Sequence, residues 1–315
     1  MTDAPLFTRH SGRGPLHAIC LPGLVPDGPE TFLRQRVLLA SFGTIDVVTY
    51  PYSTFDLDAL LNTVAERIRA AAEAGAKPVL IGVSVGGGLT LELLRRIRIA
   101  GQTLPLAGVI LISPLTCTRD LAPLLQRYLD PIITPAPGTT PGEAIERART
   151  FFRQLAGRSA GDTVRIGWQA LLTPTGWVAR KEAAIRARIE ATLDAIPVTG
   201  ALDRVQAMVR LGGLDGRVLT EAPTLVLWGS RERHTLRMDG PGTSILCRPD
   251  LACRVFPEVE VQWVYGPGGE DVPHASLLKH AHAFNPHLKR HLKRLAGQRF
   301  AALVKLPELA QAFRG

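Results

Sequence analysis

The stretch from Pro78 to Ile97 constrains the fold of this chain more than any other. An apolar run (Pro78, Val79, Leu80, Ile81) meets apolar residues at helical spacing (Leu89, Leu91, Leu93, Leu94, Ile97) across Gly82-Val83-Ser84-Val85-Gly86. Such a junction is a strand turning sharply into a helix, with Ser84 at the bend. The turn projects the serine above the sheet and aims the free N–H groups of the helix start at the same spot. A Cβ two residues before or after would collide with the crossing strand or helix, hence a glycine at each place. The competing reading is a glycine-softened strand–helix turn carrying an incidental serine.

The same alternation extends to both sides. His17–Leu21 reads as a short strand closed by Pro22-Gly23, followed by a helix from about Glu30 to Ser41. Ile45–Tyr50 is a second strand, and Leu57, Leu60, Leu61, Val64 and Ile68 mark a helix with Asp56 as N-cap. Pro78–Val83 leads to the serine, and Leu106–Ser113 is nearly all apolar, as in a parallel strand buried on both faces. From Cys117 to Glu221 the pattern is helical only, with candidate helices Leu121–Leu129, Glu143–Leu155, Thr163–Leu172, Val178–Ile196 and Ala201–Leu211. Strands resume at Thr224–Trp228 and Val259–Tyr265. The expected architecture is α/β: a doubly wound, mostly parallel sheet formed by residues 1–116 and 222–315, with an all-helical cap, 117–221, inserted above its carboxyl edge.

A reactive serine needs a base, and the base an orienting acid. Glu232 is the first acid after the strand Thr224–Trp228, on the loop Gly229-Ser230-Arg231-Glu232. Its neighbours Arg231 and Arg233 allow a plain ion-paired role, and Asp120 and Asp239 are rival acids. The next strand runs into a glycine-rich loop ending at His274, which can return over the sheet edge before a helix begins near Ala275. His280, His282, His287 and His291 fall in helical sequence, and His234 is too close to Glu232 in sequence to be its partner. Acyl transfer also needs aimed N–H donors for an oxyanion. Val85, directly after the serine, and Leu24, after Pro22-Gly23, are the candidates; an ordinary Pro-Gly turn is the alternative for the latter.

The net charge of +9 is concentrated. Between Asp271 and Glu308 there is no acid but seven basic residues and five of the eight histidines. Lys289, Arg290, Lys293 and Arg294 recur four apart and form a basic helical face. It is either a solvated surface or a dock for something anionic, such as a carrier protein, with nucleic acid ranked last because no aromatic-interleaved module accompanies it. A polar start and the lack of a long apolar run point away from a signal peptide or a transmembrane segment. The four cysteines lack metal-ligand spacing and read as reduced thiols of a cytoplasmic protein.

Together, Leu21-Pro22-Gly23-Leu24, the Ser84 turn, Gly229-Ser230-Arg231-Glu232 and His274 resemble the α/β-hydrolase superfamily over nearly the whole chain. The resemblance implies a serine hydrolase core with a helical cap and no metal or organic cofactor. It implies Ser84 as nucleophile, His274 as base and Glu232 as acid, with Leu24 and Val85 forming the oxyanion hole. The substrate would be a small or medium carboxylic ester or thioester. The same triad would serve an acyltransferase or a C–C bond hydrolase, and a noncatalytic ligand-binding protein could keep the fold. A serine at the bend, where an aspartate would stand, disfavours haloalkane dehalogenase and epoxide hydrolase chemistry.

Three departures from the family's pattern stand out. Pro22 stands in the first position of the His-Gly that often opens the oxyanion loop, Glu replaces the commoner Asp, and the leading edge of the sheet is shortened or absent. Forty-one residues separate Glu232 from His274, enough for an accessory segment around Pro241–Asp250. Apolar cap residues (Leu124, Leu125, Tyr128, Phe151, Phe152, Trp168, Leu171, Leu172, Trp177) are mostly packing, with some facing the serine if the cap closes over it.

Overall fold

The computed structural model describes residues 5–24, 28–161 and 186–298. Its strands are β1 (Leu6–His10), β2 (Leu16–Leu21), β3 (Gly43–Thr49), β4 (Lys77–Val83), β5 (Gly108–Ile112), β6 (Thr224–Gly229) and β7 (Val259–Val264). They form one sheet in the order β1-β3-β2-β4-β5-β6-β7. Only β1 runs antiparallel, against β3. The chain steps from β2 outward to β3 and then back to β4 on the other side of β2. That reversal opens a crevice at the carboxyl ends of β2 and β4, where doubly wound sheets place their ligands.

The helices are α1 (Gly28–Thr31), α2 (Arg36–Ala40), α3 (Leu57–Glu73), α4 (Val85–Ile99), α5 (Pro123–Ile133) and α6 (Pro141–Gly161). They continue with α7 (186–195), α8 (Val198–Val209), α9 (Thr243–Leu246), α10 (Pro249–Ala252) and α11 (Ala281–Gly297). The strands alternate their side chains between two cores, as period two demands. Ile19, Leu80, Val109, Leu111, Val226 and Trp228 pack under α3 and α4. Ala18, Cys20, Val79, Ile81, Ile110 and Leu225 pack with Leu39 of α2 and Phe284, Leu288 and Leu292 of α11. The expected doubly wound, mostly parallel sheet is therefore present. Between β5 and β6 every described element is helical or an irregular turn.

Several expectations shift in detail. β1 supplies an edge strand not anticipated in the polar N-terminal stretch; most of its side chains are exposed, so no buried alternation marks it. The helix expected over Glu30–Ser41 is two short ones joined by tight turns, with Gln35 drawn inward to donate to Leu277 O at 3.2 Å and Asn285 Oδ1 at 3.3 Å. The last helix starts at Ala281, not near Ala275. Thr163–Leu172, the first part of Val178–Ile196, and Trp168, Leu171, Leu172 and Trp177 lie outside the described residues.

Helix α8 is seated on the loop after β3. A Cβ at Gly200 would lie 1.8 Å from Tyr52 O, so only glycine allows this approach. The Phe55 N–H donates to Asp203 Oδ2 at 3.2 Å. Arg204 donates to Tyr50 O at 3.2 Å and Pro51 O at 3.0 Å.

On α11, Lys289 and Lys293 are exposed. Arg290 pairs with Glu260, and Arg294 with Glu258 at 3.2 Å, so acids at the β7 edge offset half of this basic face. No helix among the described residues is long and apolar enough to cross a membrane.

Candidate active site

Ser84 sits between β4 and α4 at φ 52°, a left-handed conformation that L residues avoid unless their surroundings enforce it. The enforcement is steric and polar. A Cβ on Gly82 would meet Gly86 O and the Thr90 hydroxyl at 2.5 Å, and one on Gly86 would meet Leu21 O and Pro22 O at 2.3 Å. Glycines at both places let α4 descend against the end of β2. The Ser84 N–H donates to Ile112 O at 2.9 Å, and Ser84 O accepts from Leu115 at 3.0 Å, tying the bend to β5.

From this bend runs a continuous hydrogen-bonded chain. His274 Nε2 is 2.8 Å from Ser84 Oγ, and His274 Nδ1 is 2.5 Å from Glu232 Oε2. Exposure falls along it: the serine and imidazole are partly accessible, and Glu232 is fully buried. A buried carboxylate needs its oxygens satisfied. Glu232 Oε1 accepts from the Gly229 N–H at 2.9 Å and from the Ser113 hydroxyl. Arg231 and Arg233, its sequence neighbours, form no ion pair with it among the described contacts.

The loops carrying Glu232 and His274 are stitched together. Val272 N–H donates to Ser230 Oγ at 2.8 Å, and Arg231 N–H to Val272 O at 3.0 Å. Ser113, at the end of β5, also accepts from the Ala275 N–H at 3.1 Å, so it holds Glu232 and the residue after His274 at once. Among the described residues, the non-glycine positions with positive φ are Ser84, Ser113 and Ala275. All three lie in this site. Sequence reasoning missed Ser113 because a serine ending an apolar strand looks like a strand terminus; only the fold brings it beneath Glu232.

The rival residues are elsewhere. Asp120 is buried but accepts from Thr116 and from the Gly242 and Thr243 N–H groups at 3.0 and 3.2 Å, anchoring the accessory segment that contains α9 and α10. Asp239 is exposed and pairs with Arg237 at 3.1 Å. His280 Nδ1 lies 2.8 Å from the Ser276 hydroxyl, and burial lowers its pKa. His291 is buried within α11, while His234 and His282 are exposed.

Gly23 lies against the serine: its Cβ position is 3.5 Å from Ser84 Cβ. The Pro22–Leu24 turn and the first residue of α4, Val85, thus meet around Ser84. The turn is braced from β3's end, where Tyr50 donates its hydroxyl to Pro22 O at 2.9 Å. Leu24 and Val85 also border voids that continue into the helices between β5 and β6. Of the apolar residues expected there, Leu125, Tyr128 and Phe152 line the larger void. Tyr128 stacks on Phe151 with ring centroids 4.3 Å apart, and Leu124 is exposed.

No protein-family model matches this sequence, and no curated protein matches it. Solved structures do. A thermophilic esterase from Thermogutta terrifontis superposes with a TM-score of 0.57 at 17% identity, covering 93% of this chain and 94% of its own. A putative aryl esterase from Burkholderia cenocepacia gives 0.59 at 16% identity, with 93% and 96% covered. An alpha/beta hydrolase from Sphaerobacter thermophilus gives 0.50 at 18% identity, with 91% and 95% covered. At such identities the likeness concerns architecture, and it extends over almost the entire length of both partners. This chain has the α/β-hydrolase fold.

Proposed function

We propose that this protein is a serine hydrolase that cleaves a carboxylic ester or thioester of a small to medium acyl group. The observation that carries the reading is the unbroken Ser84–His274–Glu232 hydrogen-bond chain, within direct proton-transfer distance at both links. With Nδ1–H given to Glu232, Nε2 accepts the Ser84 proton as Oγ attacks the acyl carbon. The carbonyl π pair moves onto oxygen, where the Leu24 and Val85 N–H groups receive it. Collapse breaks the bond to the leaving oxygen or sulfur, which takes the proton from His274. Water then attacks the acyl-serine, gives a proton to Nε2 and releases the acid as that proton returns to Ser84. Glu232, buried and doubly bonded on its other oxygen, keeps the imidazole oriented and balances its charge.

In this reading residues 117–221 act as a cap that governs access to Ser84. The esterases among the solved structures of like fold support the hydrolase class. The test is labelling by a fluorophosphonate probe, comparing wild type with Ser84→Ala and His274→Ala. Labelling of wild type alone, with all three proteins folded, is expected. Equal labelling of Ser84→Ala overturns the proposal by placing the reactive group elsewhere, and no labelling of wild type overturns it in favour of a ligand-binding protein.

A further inference from the structure

Among the described residues, two connected voids reach Leu24, and the smaller also touches Val85 beside Ser84. The larger, about 130 Å³, lies among α5, α6, α7 and α8, with Leu125, Ile145, Ala148 and Phe152 in its wall. The smaller, about 10 Å³, touches Val85 and Leu89 at the start of α4. Leu24, Arg204 and Met208 border both, so the three residues mark the join between them. Among the described residues, no acid lines either void. The two arginines in the walls have their charge turned onto the protein. Arg149 donates to Ile196 O and pairs with Glu146 at 2.6 Å. Arg204 donates to Tyr50 O and Pro51 O and lies over the rings of Tyr50, Tyr52 and Phe55 at 5.6–6.0 Å. The space therefore suits an uncharged apolar group.

Its side of the serine identifies which part of a substrate it takes. A leaving group must stand beside His274 Nε2 to collect its proton. All described lining residues fall between Leu24 and Leu211, and none of them comes from the loops carrying Glu232 and His274. On the hydrolase reading, that puts the space on the acyl side of the scissile bond. The small void beside Val85 admits only a slender group, and Met208 at the join is an unbranched, adaptable side chain.

We infer that the void among the helices is an acyl chamber. Its occupant is the tail of an unbranched apolar acid, passing from Ser84 beside Leu24 and Met208 into the space around Ala148. This assignment rests on the hydrolase reading but has its own test. Wild type should show kcat/KM for p-nitrophenyl octanoate at least about tenfold above that for the acetate, since each methylene in an apolar pocket counts for about that much at its lower limit. Ala148→Phe, which fills the far chamber, should lower the octanoate-to-acetate ratio by about tenfold or more; Ala201→Phe does the same should the first variant fail to melt cooperatively. An unchanged ratio in a folded variant overturns the chamber. Calorimetric titration of octanoate into Ser84→Ala, with and without Ala148→Phe, separates the two claims. Octanoate binding that Ala148→Phe abolishes supports the chamber even if wild type is not labelled by fluorophosphonate, which would end the hydrolase reading alone. Labelled wild type with no octanoate binding and no chain-length preference ends the chamber and keeps the hydrolase.

Discussion

Ser113 has a hydroxyl that donates to Glu232 and accepts from Ala275, at a backbone angle of φ 48°. It has no hydrogen bond to Ser84 among the described contacts, so in the proposed reaction it is a positioning residue acting through Glu232 and the segment after His274. Ser113→Ala deprives a buried carboxylate of one donor and frees the segment after His274. A hydrogen bond to a charged group contributes about 1.5–3 kcal/mol, which corresponds to about a 10–100-fold fall in kcat. KM for a small ester should change little while kcat falls, because Ser113 acts on the orientation of His274 and not on the substrate. A purely structural role would lower the melting temperature without separating kcat from KM in the folded variant. At this scale the sequence made the Ser84 bend legible, since Gly82 and Gly86 carry a steric signature that needs no tertiary knowledge. Glu232 was separable from Asp120 only through the fold. Both acids follow strands, and what distinguishes them is which loop faces the histidine.

Elements were legible where both faces of a strand are buried and hidden where one edge meets solvent. β1 is such a case, and beyond its pairing with β3 it is tied in by charge. Asp46 of β3, fully buried, accepts Arg9 Nε and Nη2 at 2.8 and 2.9 Å and lies 2.8 Å from His17 Nε2. Burial would push the Asp46 carboxyl up, but the hydrogen bonds from Arg9 and His17, with their charges, outweigh it and hold the group well below the usual carboxylate range. A carboxylate with a depressed folded pKa stabilises the fold above its unfolded value of about 4 and loses that contribution as pH falls through the folded value. Asp46→Asn should therefore melt lower at neutral pH, yet lose less stability than wild type on acidification below about pH 4. Thermal melts across that range would read both effects, and parallel curves would contradict the assignment. Helix starts and stops misled for a related reason: Gln35 and the turn after His274 answer to tertiary hydrogen bonds, which local periodicity does not encode.

For the whole molecule, acid sensitivity begins at a second place, far from the sheet edge at β1. Burial pushes His291 of α11 down to about 4, and the Arg294 guanidinium adds to the shift while Glu260 opposes it. Between its ordinary value of 6.5 and about 4, the unfolded chain binds a proton that the folded chain refuses. Stability should fall with decreasing pH in that window, at up to about 1.4 kcal/mol per pH unit. His291→Leu should flatten this part of the urea-midpoint profile while leaving the region below about pH 4 to Asp46. An unaltered slope would exclude His291 as its source. The overall architecture was readable because alternating strands and helices permit few topologies. The chamber was legible only as apolar residues at helical spacing, because Leu125, Tyr128 and Phe152 look like ordinary packing until the helices that carry them are placed around one space.

The seating of α8 bears on how such a protein can diversify. Tyr50 braces the Pro22 turn with its hydroxyl while its backbone carbonyl receives Arg204, and Gly200 rests on Tyr52. The helices between β5 and β6 are contiguous in sequence, which makes them look like an exchangeable module. Mechanically they are not, because one of them shares a foundation with the turn that faces Ser84. A graft from another scaffold would need to bring the 50–55 loop with it, and recombination that respects only the chain boundaries would disturb the centre it was meant to leave alone.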